Sequence, residues 1–136
     1  MKKELKFITC CPLDTYFTWQ VHLWLESLRE LNKSDKAIVL IFHPLNRAEN
    51  PKWQQIIDLY PEVEFKFYKD DGTVAPLIGT YIPILRPYLM MKYSEDHPEI
   101  KDKALFYCDS DILFTKDFNI NKFLDDDVCY LSDSKL

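Results

Sequence analysis

The run AIVLIF, residues 37–42, is unbroken in its apolar character and rich in β-branched residues. A strand with one wet face would alternate apolar with polar. A continuous run of strand length between amphipathic helices implies burial on both faces, as in a mostly parallel sheet. The flanking sequence agrees. Upstream, Phe17, Val21, Trp24, Leu28 and Leu31 recur at helical spacing, with Asp14 or Thr15 available as an N-cap, and LKFITCC (5–11) reads as a short buried strand. Downstream, NPKWQQIIDLY (50–60) opens with Asn50 as a cap and Pro51 at the first helical position. VEFKFY (63–68) then alternates, with Val63, Phe65 and Phe67 on one face.

Further on, GTYIPILRPYLMMKY (79–93) is helical towards its end, ALFYC (104–108) is a strand, residues 115–124 are irregular and DVCYLS (127–132) is a last short strand. Pro83 is placed to open the helix. Pro87 is expected to disfavour helical geometry at Arg86 and to interrupt it. The order is β-α-β-α-β-α-β with a final strand, without internal repeat or low-complexity linker. Residues 1–136 read as a single α/β domain, its mostly parallel sheet lying between helical layers. Ligands of such sheets bind outside the carboxyl ends of the strands. Three polar strand ends are candidates to converge there: Thr9 to Asp14, Asp70-Asp71-Gly72, and Asp109 to Asp111.

The chain is 47% hydrophobic and 29% charged, which suits one soluble domain with a real core. A net charge of −5 argues against nucleic-acid binding through a basic face. No apolar run reaches the roughly 18–20 residues of a membrane span, and MKKELKF lacks the apolar centre of a signal peptide. A cytoplasmic location is the expectation. Cys10, Cys11, Cys108 and Cys129 show no zinc-ligand spacing and are expected to be reduced structural thiols. His22, His43 and His97 are expected to be structural or solvated, with His43, at a strand end, the best placed of the three for a functional role. Trp19, Trp24 and Trp53 are expected to be core or packing residues at helical spacing. Asp125-Asp126-Asp127 reads as a solvated turn, and Asp133 follows the last expected strand.

The chemistry concentrates in CDSD, residues 108–111. In an extended segment Asp109 and Asp111 project to one side, with Ser110 between them. Two like charges so close repel unless a cation neutralises them. Hard oxygen ligands at this spacing suit Mg²⁺ or Mn²⁺, commonly completed by substrate phosphates and water. The same string also reads as a strand-to-turn exit in which Asp-Ser-Asp binds backbone amides. Spacing alone leaves both open.

The context ALFYCDSDILFTKDF resembles the Asp-x-Asp segment of GT-A glycosyltransferases: apolar strand, Asp-x-Asp, apolar triplet, turn. KFITCCPLD (6–14) is similar to the first strand and nucleotide-contacting loop of that family. GTYIPILRPYLMMKY lies about where members resembling glycosyltransferase family 8 carry a helix with an Arg near the donor diphosphate, and Arg86 matches it. The resemblance covers nearly the whole chain and implies a three-layer α/β/α Rossmann-like GT-A fold, of which this chain is the truncated, N-terminal donor-binding half. It implies a nucleotide-diphosphate sugar donor, with Asp109 and Asp111 holding Mn²⁺ or Mg²⁺. Thr9, Cys10, Asp70, Asp71, Arg86, Asp109 and Ser110 would contact the nucleotide sugar. No residue matches the family's acceptor site, catalytic base or nucleophile.

Two other functions remain. One is a nucleotide-sugar-binding or interaction module without turnover. The other is an aspartyl-phosphate phosphatase, in which the first Asp is the nucleophile and the second the acid/base. That motif belongs on a first strand, whereas here about a hundred residues precede it.

Overall fold

The computed structural model describes residues 3–74, 82–117, 119–122 and 124–130, with Ile82 and Asn121 described by backbone alone. Strand β1 (Leu5–Pro12) leads into helix α1 (Thr15–Glu30), then β2 (Ala37–His43), α2 (Pro51–Leu59), β3 (Glu64–Lys69), α3 (Leu85–Asp96) and β4 (Ala104–Tyr107). The four strands are parallel throughout, in the order β3-β2-β1-β4. From β1 the sheet grows one way through β2 and β3, and β4 adds on the other side. Strand order therefore reverses between β1 and β4, which opens a crevice at their carboxyl ends.

Side-chain alternation sends the two faces of the sheet into two cores. Leu5, Phe7, Cys11, Val39 and Ile41 face α1 and α2, meeting Val21, Trp24, Leu25, Leu28, Trp53 and Ile56. Ile8, Ile38, Leu40 and Phe42 face α3, meeting Leu85, Tyr88, Leu89 and Tyr93. All of β2 is buried, the physical reason its sequence carries no polar alternation. The expected α/β layering is thus present, with α1 and α2 on one face and α3 on the other.

Three local expectations are revised. Asp14 stands at the N-cap of α1 but makes no capping bond; its carboxylate pairs with Arg47. Pro87 does not interrupt α3, which runs unbroken from Leu85 to Asp96 after a 3-10 turn at Ile82–Ile84. Pro87 falls in the first helical turn, where its missing N–H would have found no intrahelical partner anyway. Of the expected last strand, residues 127–130 are not extended in a sheet, and 131 and 132 lie outside the described residues. Asp127 sits at φ 63°, a left-handed conformation that breaks an extended run, and Lys3 pairs with it.

Candidate functional site

The carboxyl ends of β1 and β4 and the first turn of α3 enclose an open crevice of about 350 Å³, whose walls include Cys10, Cys11, Tyr16, Arg86, Asp109 and Asp111. The ladder between β1 and β4 extends one residue beyond β4, with Cys108 N–H donating to Ile8 C=O at 3.0 Å. The chain then turns, Ile112 N–H reaching Asp109 C=O at 3.3 Å. Asp109 and Asp111 come out exposed and Ser110 buried. The segment is a turn that also forms a wall of the crevice, and among the described residues neither Asp109 nor Asp111 accepts a backbone amide through its carboxylate.

Asp109 is the hub. Arg86 Nη2 donates to its Oδ1 at 2.8 Å, and Tyr107 Oη donates to the same oxygen at 3.1 Å. The Arg86 guanidinium also lies 4.6 Å from the centre of the Tyr107 ring. Burial pushes the Tyr107 phenol above its ordinary range, so it remains a donor to Asp109. Arg86 therefore supplies positive charge from a helix 23 residues away in sequence. Ser110 Oγ donates to Gln20 Oε1 at 2.8 Å, a buried bond that ties the turn to α1. Ser110, expected to contact the nucleotide sugar, instead commits its hydroxyl to this internal bond.

Cys10 lines the crevice with its thiol against Arg86 C=O at 4.0 Å. Burial pushes that thiol up to about 12, partly offset by Arg86. Burial also pushes the Cys11 thiol well above its ordinary value, and the Cys108 thiol up to about 12. These thiols are held protonated, as structural thiols should be.

Thr9 is wholly buried within β1, one residue before the crevice wall, and its hydroxyl has no hydrogen-bond partner among the described residues. Asp70 and Asp71 end β3, at the edge of the sheet opposite β4, and are not among the residues lining the crevice. Two of the three polar strand ends converge, and this third does not. Asp70 accepts from Gly72 N–H at 2.8 Å. Asp71 accepts from Thr73 and pairs with Lys92 of α3 at 2.9 Å, contacts that hold its carboxyl well below the usual range.

His43 is buried, its Nδ1 2.9 Å from Pro44 C=O. His22 packs against Tyr60, and His97 stacks on Tyr93. Trp24 and Trp53 are core residues, but Trp19 is half exposed beside Tyr16, at a ring separation of 5.5 Å. Its position on α1 turns it outward, so of the three tryptophans it packs on a neighbouring ring and not in the core. Asp133 lies outside the described residues.

Sequence reasoning did not single out Tyr16, Gln20 or Tyr107. Tyr107 carried a signal, since it precedes Asp109 by two residues and so shares its side in an extended chain. Gln20 carried none, because its partner is 90 positions away. A second hollow, about 250 Å³, lies beside Leu5, Lys33, Phe114 and Asp117 and contains none of the predicted site residues.

Two exposed carboxylates in one crevice are hard oxygen donors suited to Mg²⁺ or Mn²⁺, which is typically held by one or two carboxylates with phosphates and water. Among the described residues, no group of three or more His, Cys, Asp or Glu converges as a metal cage. No family model, curated protein or solved structure matches this chain.

Proposed function

We propose that the crevice binds a nucleotide-diphosphate sugar together with Mn²⁺ or Mg²⁺, and that the chain is the donor-binding part of a metal-dependent glycosyltransferase with a GT-A-like fold. The observation that carries this reading is the position of Asp109 and Asp111 with Arg86 at the carboxyl ends of β1 and β4. Glycosyl transfer expels an anionic diphosphate, so its site needs positive charge near the leaving oxygens. A bound divalent cation would supply Lewis-acid stabilisation of that charge, with Asp109 and Asp111 holding it. Arg86, from the first turn of α3, adds a guanidinium fork matched to phosphate oxygens. Cys10 and Cys11 also line the crevice.

Calorimetric titration with uridine and guanosine diphosphates and their sugars, with and without Mn²⁺, tests the reading. Wild type should bind at least one of them in a Mn²⁺-dependent way. Asp111→Asn should weaken that binding at least several-fold and leave the fold intact, because Asp111 is exposed. Equal binding by mutant and wild type, in Mn²⁺ and in chelator, would sink it. Tight binding without donor hydrolysis or transfer would identify a binding module instead.

A further inference from the structure

A divalent cation and a guanidinium compete for the same carboxylate. Asp109 Oδ1 already accepts from Arg86 Nη2 and Tyr107 Oη, while Asp111 has no ion pair among the described residues. We propose that Arg86 is an exchangeable partner of Asp109, neutralising that carboxylate until Asp109 takes a divalent cation and Arg86 passes to the diphosphate. This inference rests on the reading of the crevice given above and adds its regulation.

Three observations support the exchange. The Arg86 and Asp109 side chains are 46% and 55% exposed, so their ion pair is weak and easily replaced. A diphosphate offers Arg86 more oxygens in bidentate geometry than one carboxylate oxygen does. The Tyr107 ring lies under the guanidinium and keeps it at the crevice once the carboxylate is released. The consequence is coupling. Cation alone binds weakly, because Arg86 opposes it, and cation with diphosphate binds well, because the displaced guanidinium gains a better partner.

Removing Arg86 should therefore act with opposite signs on the two ligands. The probes are Mn²⁺ alone, followed by the resonance signal of the free ion, and inorganic pyrophosphate titrated in saturating Mn²⁺. Arg86→Met should tighten Mn²⁺ alone by roughly three- to tenfold, the scale of losing one exposed like charge beside a divalent ion. The same variant should weaken pyrophosphate by a similar factor. Arg86→Lys, which keeps the charge, should leave Mn²⁺ affinity near wild type. Circular dichroism checks the fold, and Arg86→Gln carries the same expectation should the Met variant fail to fold. Unchanged or weaker Mn²⁺ binding on removing Arg86, with Mn²⁺-dependent pyrophosphate binding by wild type intact, would overturn the exchange and leave the proposed function standing. Failure of wild type to bind Mn²⁺ or pyrophosphate in any combination would overturn both.

Discussion

Ser110 shows how one side chain aims two others. Its hydroxyl is buried against Gln20 of α1, so Asp109 and Asp111 on either side are turned out into the crevice. Ser110→Ala would leave the Gln20 carbonyl oxygen without its donor in a buried place, at a cost of about 1–3 kcal/mol. Chemical denaturation should show that loss. Ser110→Ala with Gln20→Leu should cost less than the two single changes added, since the pair shares one interaction. Strict additivity would mean that the bond contributes nothing. None of this was readable locally: spacing placed Asp109 and Asp111 on one side, but Gln20 becomes a neighbour only when α1 packs on the sheet. The Arg86 contact with Asp109 is hidden for the same reason, being set by α3 on the opposite face.

Among the elements, β4 is an edge strand with one partner, β1, and their junction is held at its amino-terminal end by charge. Glu4 accepts from Lys103 and pairs with Lys6 at 3.1 Å, which lowers its carboxyl from 4.5 to about 2. A carboxyl depressed on folding contributes stability above its unfolded value, and that contribution is lost as pH falls from 4.5 towards about 2. Glu4→Gln should therefore lower the melting temperature at pH 7 and flatten its fall across that acid window. A melting temperature with the same acid dependence in both proteins would remove Glu4 from the account. Element identity was largely legible, because unbroken runs such as 37–42 and helically spaced runs such as 17–31 encode burial directly. The boundaries moved only slightly: the strand expected at 63–68 is Glu64–Lys69. The misjudged places are those where a local rule depends on position. Pro87 is harmless because it lies in a first turn, and the 127–132 segment has strand-like composition but a left-handed residue at Asp127.

On the scale of the whole molecule, β2 is the shared wall of both cores, and this sets how the protein must unfold. Val39 and Ile41 belong to the core with α1 and α2, while Ile38, Leu40 and Phe42 belong to the core with α3. Neither helical layer has another sheet to pack on among the described residues, so loss of one face strips β2 of half its burial and should take the other face with it. The tryptophans make this testable. Trp24 and Trp53 lie in the first core and Trp19 on the outer side of α1, so fluorescence reports that layer. Leu40 is wholly buried on the other side. Leu40→Ala should cost about 2–5 kcal/mol, and it should shift the tryptophan transition in denaturant as far as the far-ultraviolet dichroism transition. If the fluorescence midpoint stayed at its wild-type value while dichroism lost part of its amplitude earlier, the α3 layer would be unfolding alone. The crevice, whose walls come from both layers, would then lose Arg86 before Asp109 and Asp111 lost their support from Gln20.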